Sequence, residues 1–264
     1  MQTIRDLPAL RISRASLVGT VAMVPTMGAL HAGHMKLVAA AKAQADHVVV
    51  SIFVNPTQFA PTDDLSRYPR REAEDAAMLA DAGVAILWAP DVTVMYPKGF
   101  ATTISVMGAS EGLCGASRPG HFDGVATVVN KLFGQACPNM ALFGEKDWQQ
   151  LQVIRRMVSD LDLEINIIGV PTEREADGLA MSSRNAYLST ADRAVAVALP
   201  NALKAAASAL AIGNDETIIL DHARLAITSA GFIIDYVERR EDRILAAARI
   251  GTTRLIDNFP IFTR

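Results

Sequence analysis

The sequence of 264 residues is short of cysteine, with only Cys114 and Cys137. Two thiols exclude a disulfide framework, and neither sits in a CxxC pair, so a thiolate zinc site is not expected. Both read as small apolar core residues, and a reducing cytoplasm is the compartment this composition suits. An excess of one charge is also missing: 25 Lys and Arg stand against 28 Asp and Glu, a net charge of −3. Neither nucleic acid nor an anionic membrane surface is therefore expected as a bulk partner, and a bound anion must be held by a local cluster of donors. No uninterrupted apolar run reaches the ~18 residues of a membrane-spanning helix. The stretch from Leu17 to Leu30 follows Arg11 and Arg14 in the manner of a secretory signal. Asp6 precedes it, however, Pro25 interrupts it and no small-residue cleavage pattern is evident, so it reads as a buried strand. Long polar tracts are absent as well: half of the residues are hydrophobic and 20% are charged, a globular composition rather than a disordered one. The length allows one large domain or two ordinary ones.

What is present alternates between short apolar runs and helix-forming segments. Val21–Pro25 reads as a buried strand, and His34–Ala45, rich in Ala, Leu, Met and Lys, as a helix. The β-branched run His47–Val54 reads as a strand, and residues 55–69, with three prolines, as a loop. Arg71–Ala82 has the texture of a helix stopped by Gly83, and Ala85–Trp88 that of a strand. Residues 108–124 hold five glycines and read as a mobile linker or lid. Val125–Ala136 and Trp148–Asp160 are predicted helices, Met140–Phe143 and Ile165–Val170 predicted strands. This rhythm predicts an α/β fold with a Rossmann-like parallel sheet over residues 1–173. Residues 190–230 are Ala-rich and helical, and Ile233–Arg239 and Ile244–Ile256 read as strands without a crossover helix. A smaller α+β domain over 174–264 is the expectation.

Four polar clusters carry candidate chemistry. In Pro25–His34, PTMGALHAGH, a strand gives way to a helix whose first N–H groups suit a phosphate. Gly28 and Gly33 permit a sharp turn and close approach. His31 and His34, three apart, project to one side and can donate to charge developing on a polyphosphate. The same HxxH also suits a structural pair or a metal site, although no HExxH glutamate or third ligand accompanies it. Asn55 and Gln58 follow the strongest strand, where open α/β sheets bind ligands; ordinary turn chemistry is the plainer reading. In FGEKDWQQ, Lys146 can meet a phosphate, Asp147 can cap the next helix and Gln150 lies a turn beyond. In DGLAMSSRN, two serines and Arg184 on a glycine-containing loop suit a phosphate, and equally a surface turn. Three of the four lie at strand ends, which implies a phosphorylated ligand, most simply a nucleotide.

The HAGH tetrapeptide resembles the HxGH signature of the nucleotidyltransferase and class I aminoacyl-tRNA synthetase superfamily, and MSSRN a degenerate form of its second, Lys-Met-Ser-Lys-Ser-like signature. The ordered set VPTMGALHAGH, SIFVNPTQF, YPR, GASRPGHFDGV, LFGEKDWQQL, DGLAMSSRNAYL and RLIDN covers almost the whole chain. It resembles the pantoate–β-alanine ligases, the pantothenate synthetase family. The resemblance implies condensation of pantoate with β-alanine, with ATP and Mg²⁺, through a pantoyl-adenylate that yields AMP and pyrophosphate.

Carried over by motif, Met27, Gly28, His31, Gly33 and His34 correspond to the nucleotide site, with His34 as general acid. Gly144, Glu145, Lys146 and Asp147 match an ATP-binding segment, as do Met181, Ser182, Ser183 and Arg184. The catalytic set is His34, His31, Lys146 and Arg184. Gln58 and Gln150 match the glutamines that hold pantoate, Gln58 also facing β-alanine, with Asn55 and Tyr68 beside them. The resemblance further implies a homodimer through the N-terminal domain and a C-terminal lid domain. Glu173 departs from the pattern: an apolar residue is expected near the adenine, and only a backbone contact survives the change. The C-terminal domain matches more loosely apart from RLIDN.

Two other readings share these motifs. A nucleotidylyltransferase with a phosphorylated acceptor needs more cations around that acceptor than the neutral Asn55/Gln58 pair supplies. A non-catalytic nucleotide-binding module would bind ATP without exchanging pyrophosphate. Pantoate-dependent exchange of pyrophosphate into ATP separates all three. Asp63 and Asp64 are candidate metal or substrate neighbours, or simply a solvated acidic pair.

Overall fold

The structure, a computed structural model, describes residues 1–59 and 65–262. Asp63 and Asp64 lie outside the described residues. The chain divides into two compact units: Met1–Glu145 with Gln149–Pro171, and Lys146–Trp148 with Thr172–Arg264.

The first unit runs β1 (Gln2–Ile4), α1 (Leu7–Ala15), β2 (Val21–Thr26), α2 (Ala32–Lys42), β3 (His47–Ile52), α3 (Glu72–Asp81), β4 (Ile86–Trp88), α4 (Val92–Met95), α5 (Leu113–Ser117), α6 (His121–Ala136), β5 (Met140–Gly144), α7 (Trp148–Asp160) and β6 (Asn166–Val170). Its six strands are all parallel, in the order β1-β4-β3-β2-β5-β6. This is the doubly wound arrangement expected for a Rossmann-like domain. From β2 the chain winds outward through β3 and β4, and β5 and β6 lie on the other side of β2. The winding therefore reverses between β2 and β5, and the carboxyl ends of these two neighbours flank the crevice where such sheets take ligands.

The composition of the strands follows from this placement. A central parallel strand is covered on both faces, so its residues are apolar without alternation. Val21, Ala22, Met23 and Val24 are all fully buried. On one face Leu37, Val38 and Ala41 of α2 and Leu79 of α3 pack against Val24, Val48, Val50, Leu87 and Leu142. Asn139 fixes the register of β2 against β5: its Oδ1 accepts from Val21 N–H at 2.8 Å.

Two elements near the start are not evident from the sequence, β1 and α1, although Asp6 caps α1 by accepting from Ala9 N–H at 2.9 Å. The glycine-rich stretch 108–124 is more ordered than a linker. It contains α5, and α6 begins one turn earlier than the periodicity suggests, at His121. The part leading into α5 is ordered by Gln149 of α7, a buried amide. Its Oε1 accepts from Cys114 N–H at 3.0 Å, and its Nε2 donates to the carbonyls of Ala109, Glu111 and Gly112, each at 3.2 Å.

The second unit contains α8 (Thr190–Ala196), α9 (Ala198–Ala211), α10 (Glu216–Ser229) and an antiparallel sheet of β7 (Ile233–Arg240), β8 (Arg243–Ile250) and β9 (Thr253–Pro260) in that order. The run Ile244–Ile256, expected as one strand, is two. The chain reverses at Gly251, where φ is +55°. Residues Thr190–Ala211 are long and apolar enough to cross a membrane. Their apolarity has a local explanation: Leu199, Leu203, Ala206 and Leu210 are buried with Ile227, Val237, Ile244 and Leu255 in the core of this unit.

Candidate active site

The first cluster is built on the carboxyl end of β2. Thr26 closes the strand, its Oγ1 donating to Ser51 O at 2.7 Å and accepting from Gly28 N–H at 3.2 Å. The chain then turns through two left-handed residues, Gly28 at φ +83° and Ala29 at φ +51°. Glycine takes this conformation without strain; alanine does not, and needs support from its surroundings. Asp75 of α3 supplies it. This carboxylate is only 2% exposed and accepts from Ala29 N–H and Leu30 N–H, both at 2.8 Å.

The turn delivers His31 to the N-cap of α2. Its Nδ1 accepts from Gly33 N–H at 3.2 Å, and His34 Nδ1 accepts from His31 N–H at 3.3 Å. The two histidines thus form a reciprocal capping box with imidazoles in place of the usual hydroxyl and carboxylate. A nitrogen that accepts from a backbone N–H holds no proton, so each neutral ring carries its proton on Nε2. The ring centroids are 4.1 Å apart. Two N–H donors are therefore paired at a helix start, where the dipole already favours an anion.

The second cluster follows β3, the neighbour of β2. Asn55 is 1% exposed and is used up inside the protein. Its Oδ1 accepts from Tyr96 OH at 2.8 Å and Thr57 Oγ1 at 2.9 Å; its Nδ2 donates to Gln58 Oε1 and to Gly124 O, both at 3.1 Å. Burial pushes the Tyr96 phenol above its ordinary range, with the hydrogen bond to Thr57 opposing, so the hydroxyl stays a donor. The amide of Gln58 reaches the first cluster, Nε2 lying 3.1 Å from Met27 Sδ. Tyr68 is buried with its ring edge-on to Phe59, centroids 6.1 Å apart. Gly144 ends β5, on the other side of β2, with Glu145 directly after it and Gln150 on α7.

The remaining expected residues belong to the second unit. Lys146 is largely buried, with Nζ 3.8 Å from Asp147 Oδ2, and its backbone carbonyl accepts from Asn258 Nδ2 at 3.0 Å. Asp257, the neighbour of Asn258, grips Arg174 with both carboxylate oxygens, at 2.7 and 3.0 Å. Burial pushes the Asp257 carboxyl up, and the guanidinium pulls the other way. Arg174 also donates to Gly178 O at 3.0 Å and stacks over the Phe259 ring at 4.0 Å. Glu173 meets the MSSR segment through its backbone: its carbonyl accepts from Met181 N–H at 2.9 Å. Ser182 caps the short turn of Ser183–Tyr187, accepting from Arg184 N–H at 3.3 Å. Asn185 ties this turn to Glu175 Oε1 at 2.9 Å and Ala180 O at 3.1 Å.

Met27, Gly28, His31, Gly33, His34, Asn55 and Gln58 are thus brought together at one rim of the first sheet. Lys146, Asp147, Glu173 and Met181–Arg184 lie in the second unit. Sequence reasoning misses Asp75, Tyr96 and Gln149. Asp75 sits among Glu72 and Glu74 in the first turn of α3, where an acidic residue looks like a complement to the helix dipole. RLIDN stands out in the sequence as a motif without a task, which the grip of Asp257 and Asn258 on Arg174 and Lys146 supplies.

The doubly wound sheet and the paired imidazoles at its switch point define an α/β nucleotide-binding protein of the HxGH type. A model of the family described as pantoate-beta-alanine ligase matches residues 1–260. The chain is 56% identical to the pantothenate synthetase of Sphingopyxis alaskensis, over 99% of this chain and all of that one. It is also 56% identical to the pantothenate synthetase of Rhizorhabdus wittichii, over 99% of each. The crystal structure of pantothenate synthetase from Thermus thermophilus is similar at a TM-score of 0.94 with 44% identity, covering 99% of this chain and 100% of that one. A pantoate-beta-alanine ligase from Francisella tularensis, solved with beta-gamma ATP and beta-alanine, matches at a TM-score of 0.90 with 38% identity, covering 99% and 98%. The chain belongs to the pantoate–β-alanine ligase family, enzymes of the ligase class.

Proposed function

We propose that this chain condenses pantoate with β-alanine at the rim formed by β2, β3 and β5, taking ATP as the activating substrate. The observation that carries the assignment of residues is the capping box: it fixes the Nε2–H form of both His31 and His34 at a helix start. A carboxylate is a poor electrophile, and adenylation gives it a leaving group. An oxygen of pantoate attacks the α-phosphorus, the bond to the bridging oxygen breaks, and pyrophosphate leaves with the charge. His31 and His34 donate hydrogen bonds from Nε2 to that charge, with Lys146 and Arg184 as fixed cations. For proton transfer as general acid, His34 takes up a second proton on Nδ1, which releases the His31 N–H. The β-alanine amine then attacks the acyl carbonyl of the adenylate, AMP leaves with the electron pair of the broken C–O bond, and the amine proton goes to solvent.

Gln58 and Gln150 hold pantoate, and Gln58 also faces β-alanine. Asn55 acts through Gln58, since its own amide is spent on Tyr96, Thr57, Gly124 and Gln58 itself. Tyr68 supports this side of the rim from a buried position. Met27, Gly28, Gly33, Gly144, Glu145, Asp147, Met181, Ser182 and Ser183 line the ATP path, and Glu173 faces the adenine by its backbone. Among the described residues no three His, Cys, Asp or Glu side chains form a cluster that could hold a metal ion. That arrangement suits Mg²⁺ carried on the phosphates, where it would neutralise their charge. We further propose a cytoplasmic homodimer associating through the first unit.

The test is exchange of labelled pyrophosphate into ATP. Exchange that depends on pantoate and not on β-alanine, with AMP and pantothenate formed once β-alanine is added, is the expected outcome. Exchange without pantoate, or ATP binding with no exchange under any condition, overturns the reading.

A further inference from the structure

The RPGHFDG segment, residues 118–124, is the one motif to which the reaction above gives no task. Two of its polar side chains, Arg118 and His121, converge on a single backbone atom of the loop that carries Gln58. His121 Nδ1 lies 2.8 Å from Gln58 O, and Arg118 Nη2 donates to the same oxygen at 3.3 Å. Arg118 Nη1 lies 3.0 Å from His121 Nε2. Only one assignment of protons satisfies all three contacts. Arginine has donors alone, so Nε2 of His121 accepts, and the imidazole proton sits on Nδ1 and points at the Gln58 carbonyl.

The backbone completes the grip. Asn55 Nδ2 donates to Gly124 O at 3.1 Å, so the residue that orients the Gln58 amide is itself moored to α6. Gly124 packs flat against the same loop: a Cβ there would lie 2.6 Å from Thr57 C and 2.7 Å from Gln58 N, and would strike Thr57 O. Gly120, at φ +77°, provides the bend between Arg118 and the helix start. The main chain at Gln58 is therefore held at its carbonyl by two side chains, and Gly124 packs against the preceding Thr57–Gln58 peptide so closely that no larger residue fits.

We propose that Arg118 and His121 are positioning residues for pantoate: they fix the main chain at Gln58 so that its side-chain amide meets the substrate in one orientation. The inference rests on the assignment of Gln58 to pantoate. Neither residue touches the reacting atoms in this role. A displaced glutamine weakens pantoate use while leaving the nucleotide end of the reaction alone, because small misplacements of a positioning group are costly.

Pantoate-dependent pyrophosphate exchange by the full-length chain, with thermal melts alongside, tests this. Arg118→Ala and His121→Ala are each expected to raise the pantoate KM by ~10-fold or more and to leave the ATP KM within about 2-fold. His121→Gln, which restores an N–H donor, is expected to recover part of the loss. The double variant His121→Ala with Gln58→Ala is expected to be no worse than Gln58→Ala alone, since both changes disable one device. Unchanged pantoate KM in the single variants, an equal rise in ATP KM, or a multiplicative double variant overturns the proposal. Should His121→Ala fail to fold, Arg118→Ala and His121→Gln decide by the same criteria. A Gln58→Ala variant with wild-type pantoate KM points instead to an error in the assignment of Gln58, whatever the other variants do.

Discussion

Asp75 accepts the backbone N–H of Ala29 at 2.8 Å, across 46 residues of sequence. With the second bond to Leu30 it holds open a left-handed turn that an alanine would otherwise leave, and that turn sets the entry of His31 into α2. Replacing Asp75 by Asn keeps the shape but leaves one acceptor where two donors arrive. We expect Asp75→Asn to cost about 1–3 kcal/mol of stability, the penalty of a buried donor left unmet. Because both imidazoles follow the turn, pyrophosphate exchange should also slow by ~10-fold or more with the pantoate KM little changed. Denaturant titration and exchange kinetics check the two parts. Wild-type exchange in a destabilised variant would confine Asp75 to holding the fold.

His34 combines two tasks, accepting from His31 N–H and donating from Nε2. His34→Ala is expected to lower turnover by roughly 10²–10⁴-fold, since it deletes a general acid and one donor to the leaving pyrophosphate. Loss of the cap should cost about 1 kcal/mol, far too little to unfold the chain. Stopped-assay turnover and a thermal melt separate the effects. Turnover near wild type removes the acid role.

These two residues mark how far the sequence can be read. His34 is legible because its chemistry is local: a strand, a glycine turn and a helix start lie close together in the chain. The central strands are legible for the same reason, as β2 and β3 are buried on both faces and their apolar runs say so. Asp75 is not, because its partners lie on another element and an acidic residue in a first helical turn has an ordinary explanation. The glycine-rich 108–124 segment reads as irregular since the order of the part leading into α5 comes from Gln149, outside it in sequence. The hairpin at Gly251 is signalled only by the short polar stretch Gly251–Arg254 between two apolar runs; the pairing of Ile250 with Thr253 and the glycine's positive φ show that the chain reverses there.

In the second unit Asp257 is buried and joined to Arg174 by two hydrogen bonds. Removing one partner of such a pair strands the other's charge. We expect Arg174→Ala to destabilise the unit by about 3 kcal/mol, because it leaves the buried Asp257 carboxyl unpaired, with Asp257→Ala costing less because the guanidinium it strands is partly solvated. Hydrogen exchange of the full-length chain should show the loss in β8 and β9, and the ATP KM should rise as Asn258 and Lys146 lose their register. Unchanged protection in those strands contradicts this account.

Asp177 gives the pH dependence. A hydrogen bond from Arg193 holds its carboxyl below the usual carboxylate range, and Leu179 N–H, 3.2 Å from Oδ1, adds to the effect. A lowered value in the folded chain means that the stabilisation is present above the unfolded value, about 3.9, and is lost as pH falls through the folded one. The loop that carries Met181–Arg184 should therefore stay fastened at neutral pH and loosen only in acid below about pH 4. The carboxylate is close to the surface, so the energy involved is small and the local signal is the better probe. The amide resonance of Leu179 should titrate with a midpoint below that of an ordinary aspartate, and Arg193→Ala should move the midpoint upward. A midpoint at the ordinary value in the wild-type chain, or one that Arg193→Ala does not move, would show that Arg193 is not what holds Asp177 ionised.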